Sequence, residues 1–404
     1  MAGLQHGFDV SIRTPSLPAV FLPLAVSRAP VAGFMAMGVV WGALMAAMPD
    51  IKAQLGVGDG ALGGLLLTAS LAAIAMMFAA PRLGSLLGPA ALPLGTAVMG
   101  LAVMLPAQDF GPAFFVGAML VMGGSSGAAE VWFNARISTL ESIDRGGGRR
   151  LALMNLNHAL YSFAYAGAAA LTGVLRAAGW SPAAALAVMG LAAMALALVA
   201  LERGGRIDGA AGGMARAPVW RMGPVPLLAG ALLLVAFLAE NSAEAWSALY
   251  LERDLGAAPG GGAAGPALLG LTMGLGRLAG QVAAQRLGDQ ALLRGGLWMG
   301  TGGLALVLAA QGPGLAVAGF VVLGFGISVL APTALSIAGR LAAPEGRAQA
   351  IAQTTVIGYI GFFLGPGMLG LLAELGGLRL AYVAVAVALL ASLWLCARLA
   401  RHGA

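Results

Sequence analysis

Residues Phe237–Leu251 read FLAENSAEAWSALYL, and they complete a long apolar run that begins at Pro224. Two carboxylates, Glu240 and Glu244, stand four residues apart, which on a helix places them on one face, one turn apart. Ser247 continues that face and Asn241 flanks it. Run and stretch together exceed the ~20 residues that cross a ~30 Å hydrocarbon layer. Glu240 therefore falls past the middle of a membrane span, with Glu244 nearer its exit. A carboxylate at the centre of a bilayer costs ~2.5–3.5 kcal/mol on insertion scales. Such a residue faces a protein interior or a wet cavity, and it usually binds an ion, a proton or a substrate. The competing reading, strongest for Glu244, is a snorkelling or interhelically hydrogen-bonded side chain.

The rest of the chain has the composition this placement requires. Of 404 residues, 60% are hydrophobic and 9% charged, against about a quarter charged in soluble proteins. The formal charge of +6 would suggest a nucleic-acid partner in a soluble chain; here the enrichment of basic residues in cytoplasmic loops explains it. The single cysteine, Cys396, excludes an intrachain disulfide. Arg28-Ala29-Pro30 lacks a small-x-small cleavage pattern, so residues 1–29 are expected to be a cytoplasmic tail rather than a cleaved signal.

Apolar runs of spanning length recur twelve times, at 30–49, 61–80, 89–106, 112–134, 151–175, 181–201, 224–250, 264–285, 291–311, 314–338, 350–373 and 378–398. The expected fold is an all-α integral membrane protein of twelve transmembrane helices in two six-helix bundles, 30–201 and 224–398. A Gly- and Arg-rich cytoplasmic linker, 202–223, joins them, and 399–404 is a cytoplasmic tail. With the N-terminus inside, seventeen basic residues fall in inside segments and four, Lys52, Arg176, Arg253 and Arg379, in outside loops; Arg277 lies within a span. The halves repeat in parallel. Arg82 and Arg286 are 204 residues apart, as are Arg136 and Arg340, and Arg176 and Arg379 are 203 apart. Parallel repeats place a substrate site between the halves near mid-membrane.

Two further constellations carry polar chemistry. The fourth run shows Ser126, Glu130 and Asn134 at i, i+4 and i+8. The fifth places Asn155, His158, Ser162 and Tyr165 along one face, with Tyr161 beside it. A carboxylate beside an imidazole makes a proton relay or a charge-compensated pair; the alternative is a hydrogen-bond network that only holds two helices together. Arg277 in the eighth run needs a counter-charge, for which Glu240, an anionic substrate group and a nearby structural acceptor are the candidates. Gln353 and Tyr359 in the eleventh run could line a cavity, and Gly365-Pro366-Gly367 suits close helix packing. Trp41, Trp246 and Tyr250 read as cavity or interface aromatics, Tyr250 as a member of the aromatic belt.

Twelve runs in two parallel halves, a central linker and the repeated Arg82-Leu83-Gly84 and Arg286-Leu287-Gly288 resemble the major facilitator superfamily. The resemblance implies a gating role for Arg82, Gly84, Arg286 and Gly288. The chain departs from the superfamily's loop signature at Pro81 and Gln285, where an acid is usual, and at the basic pair, replaced by Ser85-Leu86 and Asp289-Gln290. A narrower resemblance rests on Glu130-x3-Asn134, Glu141, Met154-x3-His158-x3-Ser162 and the Glu240–Leu251 stretch. It is to a bacterial branch grouped with fucose-permease-like carriers. Drug–proton antiporters of the superfamily usually carry Gly-Pro in the fifth span, and 158–173 contains no proline.

The function this implies is a secondary active transporter, proton-coupled, moving a small polar solute by alternating access. Glu240, with Glu244, Asn241, Glu130, Asn134, His158, Tyr161, Tyr165, Arg277, Gln353, Tyr359 and Trp41, is expected to form its substrate and proton site. A proton-driven efflux pump for amphipathic cations is the alternative, and a membrane scaffold or receptor the third. No Gly-rich loop ends in Lys-Ser or Lys-Thr, which argues against direct ATP use. No Cys/His cluster has metal spacing. No enzyme activity, metal or cofactor is expected beyond a proton gradient. The expected state is a monomer in the bacterial inner membrane, with a small-molecule substrate and no nucleic acid. With both termini cytoplasmic, green fluorescent protein fused after Ala404 should fluoresce and alkaline phosphatase at the same point should be inactive; the reverse pattern refutes the orientation.

Overall fold

A computed structural model describes residues 22–142, 153–202, 222–343 and 346–402. The regular structure among them is helical, as it must be where no water satisfies backbone groups. After a short α1 (Leu22–Val26) come α2 (Arg28–Leu55), α3 (Asp59–Leu87), α4 (Ala91–Ala102), α5 (Pro112–Ser142), α6 (Leu153–Ala177) and α7 (Pro182–Val199). Then follow α8 (Pro224–Leu249), α9 (Ala264–Leu287), α10 (Asp289–Ala309), α11 (Pro313–Ser328), α12 (Leu330–Leu341) and α13 (Arg347–Ala400). Eight helical stretches among the described residues are long and apolar enough to cross a membrane. Three of them hold a break: a 3-10 turn at Gly88–Ala90 within Asp59–Ala102, Val329 within Pro313–Leu341, and Gly376–Gly377 within Gln349–Ala400. Gly377 has φ +76°, a left-handed conformation that side-chain-bearing residues rarely adopt.

The helices follow the apolar runs with local differences. The third run, expected over 89–106, is helical only over Ala91–Ala102 and ends in turns. The tenth is interrupted at Val329, between α11 and α12. Part of the expected N-terminal tail is helical, since α1 and the start of α2 fall within it; α13 runs into the expected C-terminal tail. Residues 1–21 of that first tail and 203–221 of the expected linker lie outside the described residues.

Small residues set the helix spacing, as in other membrane bundles. Gly123 and Gly127 of α5 lie against the backbone of Ala69 and Ala73 on α3, and Gly361 of α13 against that of Leu234 on α8. The two largest interfaces that join α2–α7 to α8–α13 are α3 with the first part of α13, and α6 with α9. At the repeat offset these are one interface seen twice. Gly63 marks a close approach of α3 to α13: a Cβ there would lie 2.6 Å from Pro366 O and 2.9 Å from Gly370 Cα.

The polar contacts between the two sets of helices are distributed unevenly. At the end opposite the chain termini, called the far end, Arg176 Nε and Nη2 donate to Asp50 at 2.6 and 2.5 Å. Its Nη1 and Nη2 donate to Glu252 at 2.8 and 2.9 Å. Burial alone would lower the pKa of this guanidinium, but hydrogen bonds to Asp50 and Glu252 outweigh it and hold the pKa above its ordinary value. Arg253 donates to both Asp59 oxygens at 2.7 and 2.8 Å, Lys52 pairs with the same carboxylate, and Glu374 accepts from Gly60 N at 3.0 Å. At the termini end the contacts between described residues stay within one set. Arg136 pairs with Glu202 at 2.5 Å, Arg28 donates to Leu201 O at 2.6 Å, and Arg340 pairs with Asp289.

Replacing Gly63 by Val should lower the thermal unfolding midpoint in detergent, by the ~1–3 kcal/mol typical of overpacking. Gly64, whose Cβ position is open, should accept Val without loss.

Candidate functional site

Between the two sets of helices lies a cavity of about 220 Å³. The i, i+4 spacing on α8 delivers Glu240 and Glu244 to it together, with Asn241 beside them. Arg277 reaches in from α9, where its Nη2 donates to Glu240 Oε1 at 2.8 Å and its Nη1 to Ser162 Oγ of α6 at 2.7 Å. One guanidinium thus ties a carboxylate of its own set to a hydroxyl of the other. Ser162 Oγ in turn donates to His158 O at 3.2 Å. The counter-charge of Arg277 is therefore Glu240. Glu244 is only 9% exposed and lines the same space. Among the described residues it has no hydrogen bond or ion pair, so it is neither snorkelling nor bonded to a neighbouring helix.

From α5 comes Glu130. Its Oε1 accepts from Tyr359 Oη of α13 at 2.9 Å, a second bond between the two sets. The expected pairing of Glu130 with His158 is not what the structure has. The His158 ring packs on Phe34, centroids 4.7 Å apart, and both groups face the cavity without bonding each other. The reason is packing: α5 lies mainly against α3 and α6 against α2, so the two helices barely touch. Tyr161 lines the cavity with its ring 6.2 Å from Tyr165, and Trp41 lines it while donating from Nε1 to Ser126 Oγ at 3.1 Å.

Three expected site residues stand off the cavity. Tyr165 is buried with its hydroxyl unpartnered, and Gln353 Nε2 and Asn134 Oδ1 are buried without partners. Of the expected gate residues, Arg82 and Arg286 are exposed and Gly84 is buried. Gly288 closes α9, its N–H donating to Ala284 O at 3.1 Å, with φ +76°. The acid that pairs in this region is Asp289, one residue beyond Gly288, with Arg340. Tyr250 is not a belt residue. It is fully buried, packs edge-on to Tyr382 at 5.3 Å and donates to Val307 O at 3.3 Å. Trp246 is likewise buried away from the cavity, with Nε1 unpartnered.

What the sequence left unread is the apolar wall. Met37, Met45 and Met77 line one side, and Phe237, Phe362 and Phe363 join Tyr359 on the other. No cluster of three metal-ligating side chains occurs among the described residues.

No protein-family model matches the chain. It is 31% identical over 349 residues to an uncharacterized MFS-type transporter of Yersinia pestis, spanning 85% of this chain and 88% of that one. It is 24% identical to the membrane protein MosC of Rhizobium meliloti, over 85% and 83% of the two chains. Among solved structures it is similar to a bacterial homolog of the human lysosomal transporter Spinster, with TM-score 0.71, 14% identity and 95% and 97% coverage. It is also similar to the nucleoside transporter NupG, with TM-score 0.68, 13% identity and 93% and 98% coverage. Both structural likenesses carry the fold alone.

The Glu240–Arg277 pair yields a stability test. Arg277→Met leaves a carboxylate unpaired and should destabilise the protein by ~3–5 kcal/mol. Adding Glu240→Leu should restore most of the loss, read as the thermal midpoint in detergent.

Proposed function

The chain belongs to the major facilitator superfamily of membrane transporters, and we propose that it is a proton-coupled secondary active transporter that moves a small solute by alternating access. One observation carries the reading: a charged cavity between the two sets of helices, bridged across by Arg277–Ser162 and Tyr359–Glu130. Charges at such depth are costly and mark ion, proton or substrate pathways. Glu240 is the main proton and substrate site. Protonating it removes the charge that holds Arg277, and this loosens the guanidinium's grip on Ser162 across the cavity. Glu244, Asn241, Glu130, His158, Tyr161, Tyr359 and Trp41 complete the site. Asn134, Tyr165 and Gln353 act as buried supports around it. The loops at Arg82-Leu83-Gly84 and Arg286-Leu287-Gly288 serve the gating movement.

On this reading the far-end network holds one mouth shut while the termini end is unlatched. Rocking of one six-helix bundle, 30–201, against the other, 224–398, exchanges the two states. The protein sits in the bacterial inner membrane as a monomer of twelve spans. Both termini are cytoplasmic, and it draws on the proton gradient rather than ATP or a bound cofactor. A second reading, efflux of amphipathic compounds, gains support from the methionine and aromatic wall, which suits a solute with an apolar body.

Proteoliposomes with a trapped pH dye, screened against small metabolites and amines, should show solute-dependent proton flux. Glu240→Gln should cut that flux about tenfold or more, the scale of one charge-assisted contact. Unchanged flux in the variant would remove Glu240 from the coupling path.

A further inference from the structure

We infer that the solute is a small amphipathic ammonium compound, and that its charged head and the coupling proton compete for one carboxylate, Glu244. This rests on the transporter reading above and deepens it by moving the shared proton and solute carboxylate one turn along α8, from Glu240, which is committed to Arg277, to Glu244. The cavity wall holds three carboxylates and one guanidinium. Arg277 is already committed to Glu240 and Ser162, and Glu130 already accepts from Tyr359. Glu244 alone of the three is left without a bonded partner among the described residues, while being nine-tenths buried and facing the cavity.

The charged and titratable groups around it do not supply the missing charge. On its own helix stands Glu240, of like sign. Arg277 on α9 is spent. From α6 come His158, packed on Phe34, and the phenols Tyr161 and Tyr165; from α5 and α13 come Glu130 and Tyr359, bonded to each other. A carboxylate in such a place is neutralised by a proton or by a cation that enters. An anionic solute would have to displace Glu240 from Arg277, and a neutral one would leave Glu244 unanswered.

The wall formed by α8 and α13 fits the remainder of such a cation. Phe237, Tyr359, Phe363 and Phe362 form a closed circuit of rings, with successive centroids 5.7, 5.5, 5.9 and 6.1 Å apart, and all four border the cavity. Aromatic faces attract ammonium groups and bury the hydrocarbon attached to them. The volume of about 220 Å³ lies below the ~300–1,000 Å³ usual for drug-sized ligands, so the solute is small.

Binding to the purified full-length protein in detergent, by calorimetry, tests this without requiring transport. The probes are 2-phenylethylammonium, the neutral 2-phenylethanol, the anionic 3-phenylpropanoate and the apolar-free ethanolammonium. The phenylethylammonium ion should bind saturably, each other probe about tenfold or more weaker, one charge-assisted contact being worth that much. Its affinity should fall as pH is lowered, because a protonated carboxyl cannot pair with it. Glu244→Gln should weaken the cation about tenfold and abolish that pH dependence while sparing 2-phenylethanol. Equal binding of the neutral or anionic probe to the wild-type protein overturns the inference, as does a folded Glu244→Gln variant with undiminished cation binding. Because the probe series is read on the wild-type chain, a variant that fails to fold does not shield the inference. Cation binding without proton flux in proteoliposomes would sink the transport reading and leave this one standing. Proton-driven flux of a neutral solute, unaffected by Glu244→Gln, would do the opposite.

Discussion

The Arg277 guanidinium sits between Glu240 and Ser162 at 2.8 and 2.7 Å, in a bundle that exposes many large apolar side chains. Glu240 of its own set of helices and Ser162 of the other converge on that one cation. A buried ion pair returns little net stability, since desolvating both partners offsets most of their attraction. An apolar pair of the same volume would pack at least as well. Its retention is thus better explained by what the pair does than by what it holds together. It occupies one of the three carboxylates and leaves a neighbour, one turn away on the same helix, without any. Two acids beside one base is the local imbalance on which the proposed proton and cation chemistry rests.

The two ends of the molecule deal with charge differently. At the far end Arg176, with a side chain 1% exposed, is held by Asp50 of its own set of helices and Glu252 of the other. The Asp50 and Glu252 side chains are 33% and 13% exposed, so water can take over their hydrogen bonds when the two sets part. In the proposed alternating access such a network would act as a latch whose polar groups pass from one another to water on opening. Close backbone contact at Gly63 and Gly370 backs it with dispersion forces that also vanish on separation. At the termini end the ion pairs Arg136–Glu202 and Arg340–Asp289 brace each set internally and join neither set to the other.

Much of this was legible in the residues. Spanning length and the offset of the arginines mark out the helices, and i, i+4 spacing brings Glu240 and Glu244 to one place. The depth of Arg277 demands a counter-charge, and Glu240 stood among its three candidates. What failed did so for an identifiable reason. On an amphipathic helix, periodicity tells which face is buried; on a helix apolar all round it carries no such signal. The wall of Met37, Met45, Met77, Phe237, Phe362 and Phe363 was therefore invisible. So was the burial of Tyr250, whose position at a span end matched the interfacial belt equally well. Pairing across helices depends on which helices touch. Glu130 was assigned to His158 from chain adjacency, whereas packing brings it Tyr359 from 229 residues away.

The duplication makes the asymmetry of the site informative. The α3–α13 and α6–α9 interfaces correspond at the repeat offset, so the backbone framework is shared between the halves. The charges are not. At an offset of 204, Glu240, Glu244 and Arg277 correspond to Ala36, Val40 and Ala73, and Glu130 corresponds to Ala334. His158 corresponds to Phe362 and Ser162 to Pro366. A symmetric cavity would offer two equivalent acids and two equivalent bases, and a solute could lie in it either way round. Here the acid pair and its guanidinium belong to one half, while the groups that Arg277 and Tyr359 reach across to, Ser162 and Glu130, belong to the other. Each cross-cavity bond therefore joins unlike partners, and neutralising a charge on one half changes its hold on the other. Under the proposed rocking of the two bundles, that dependence of contact between halves on charge state is what would let an ion gradient drive it.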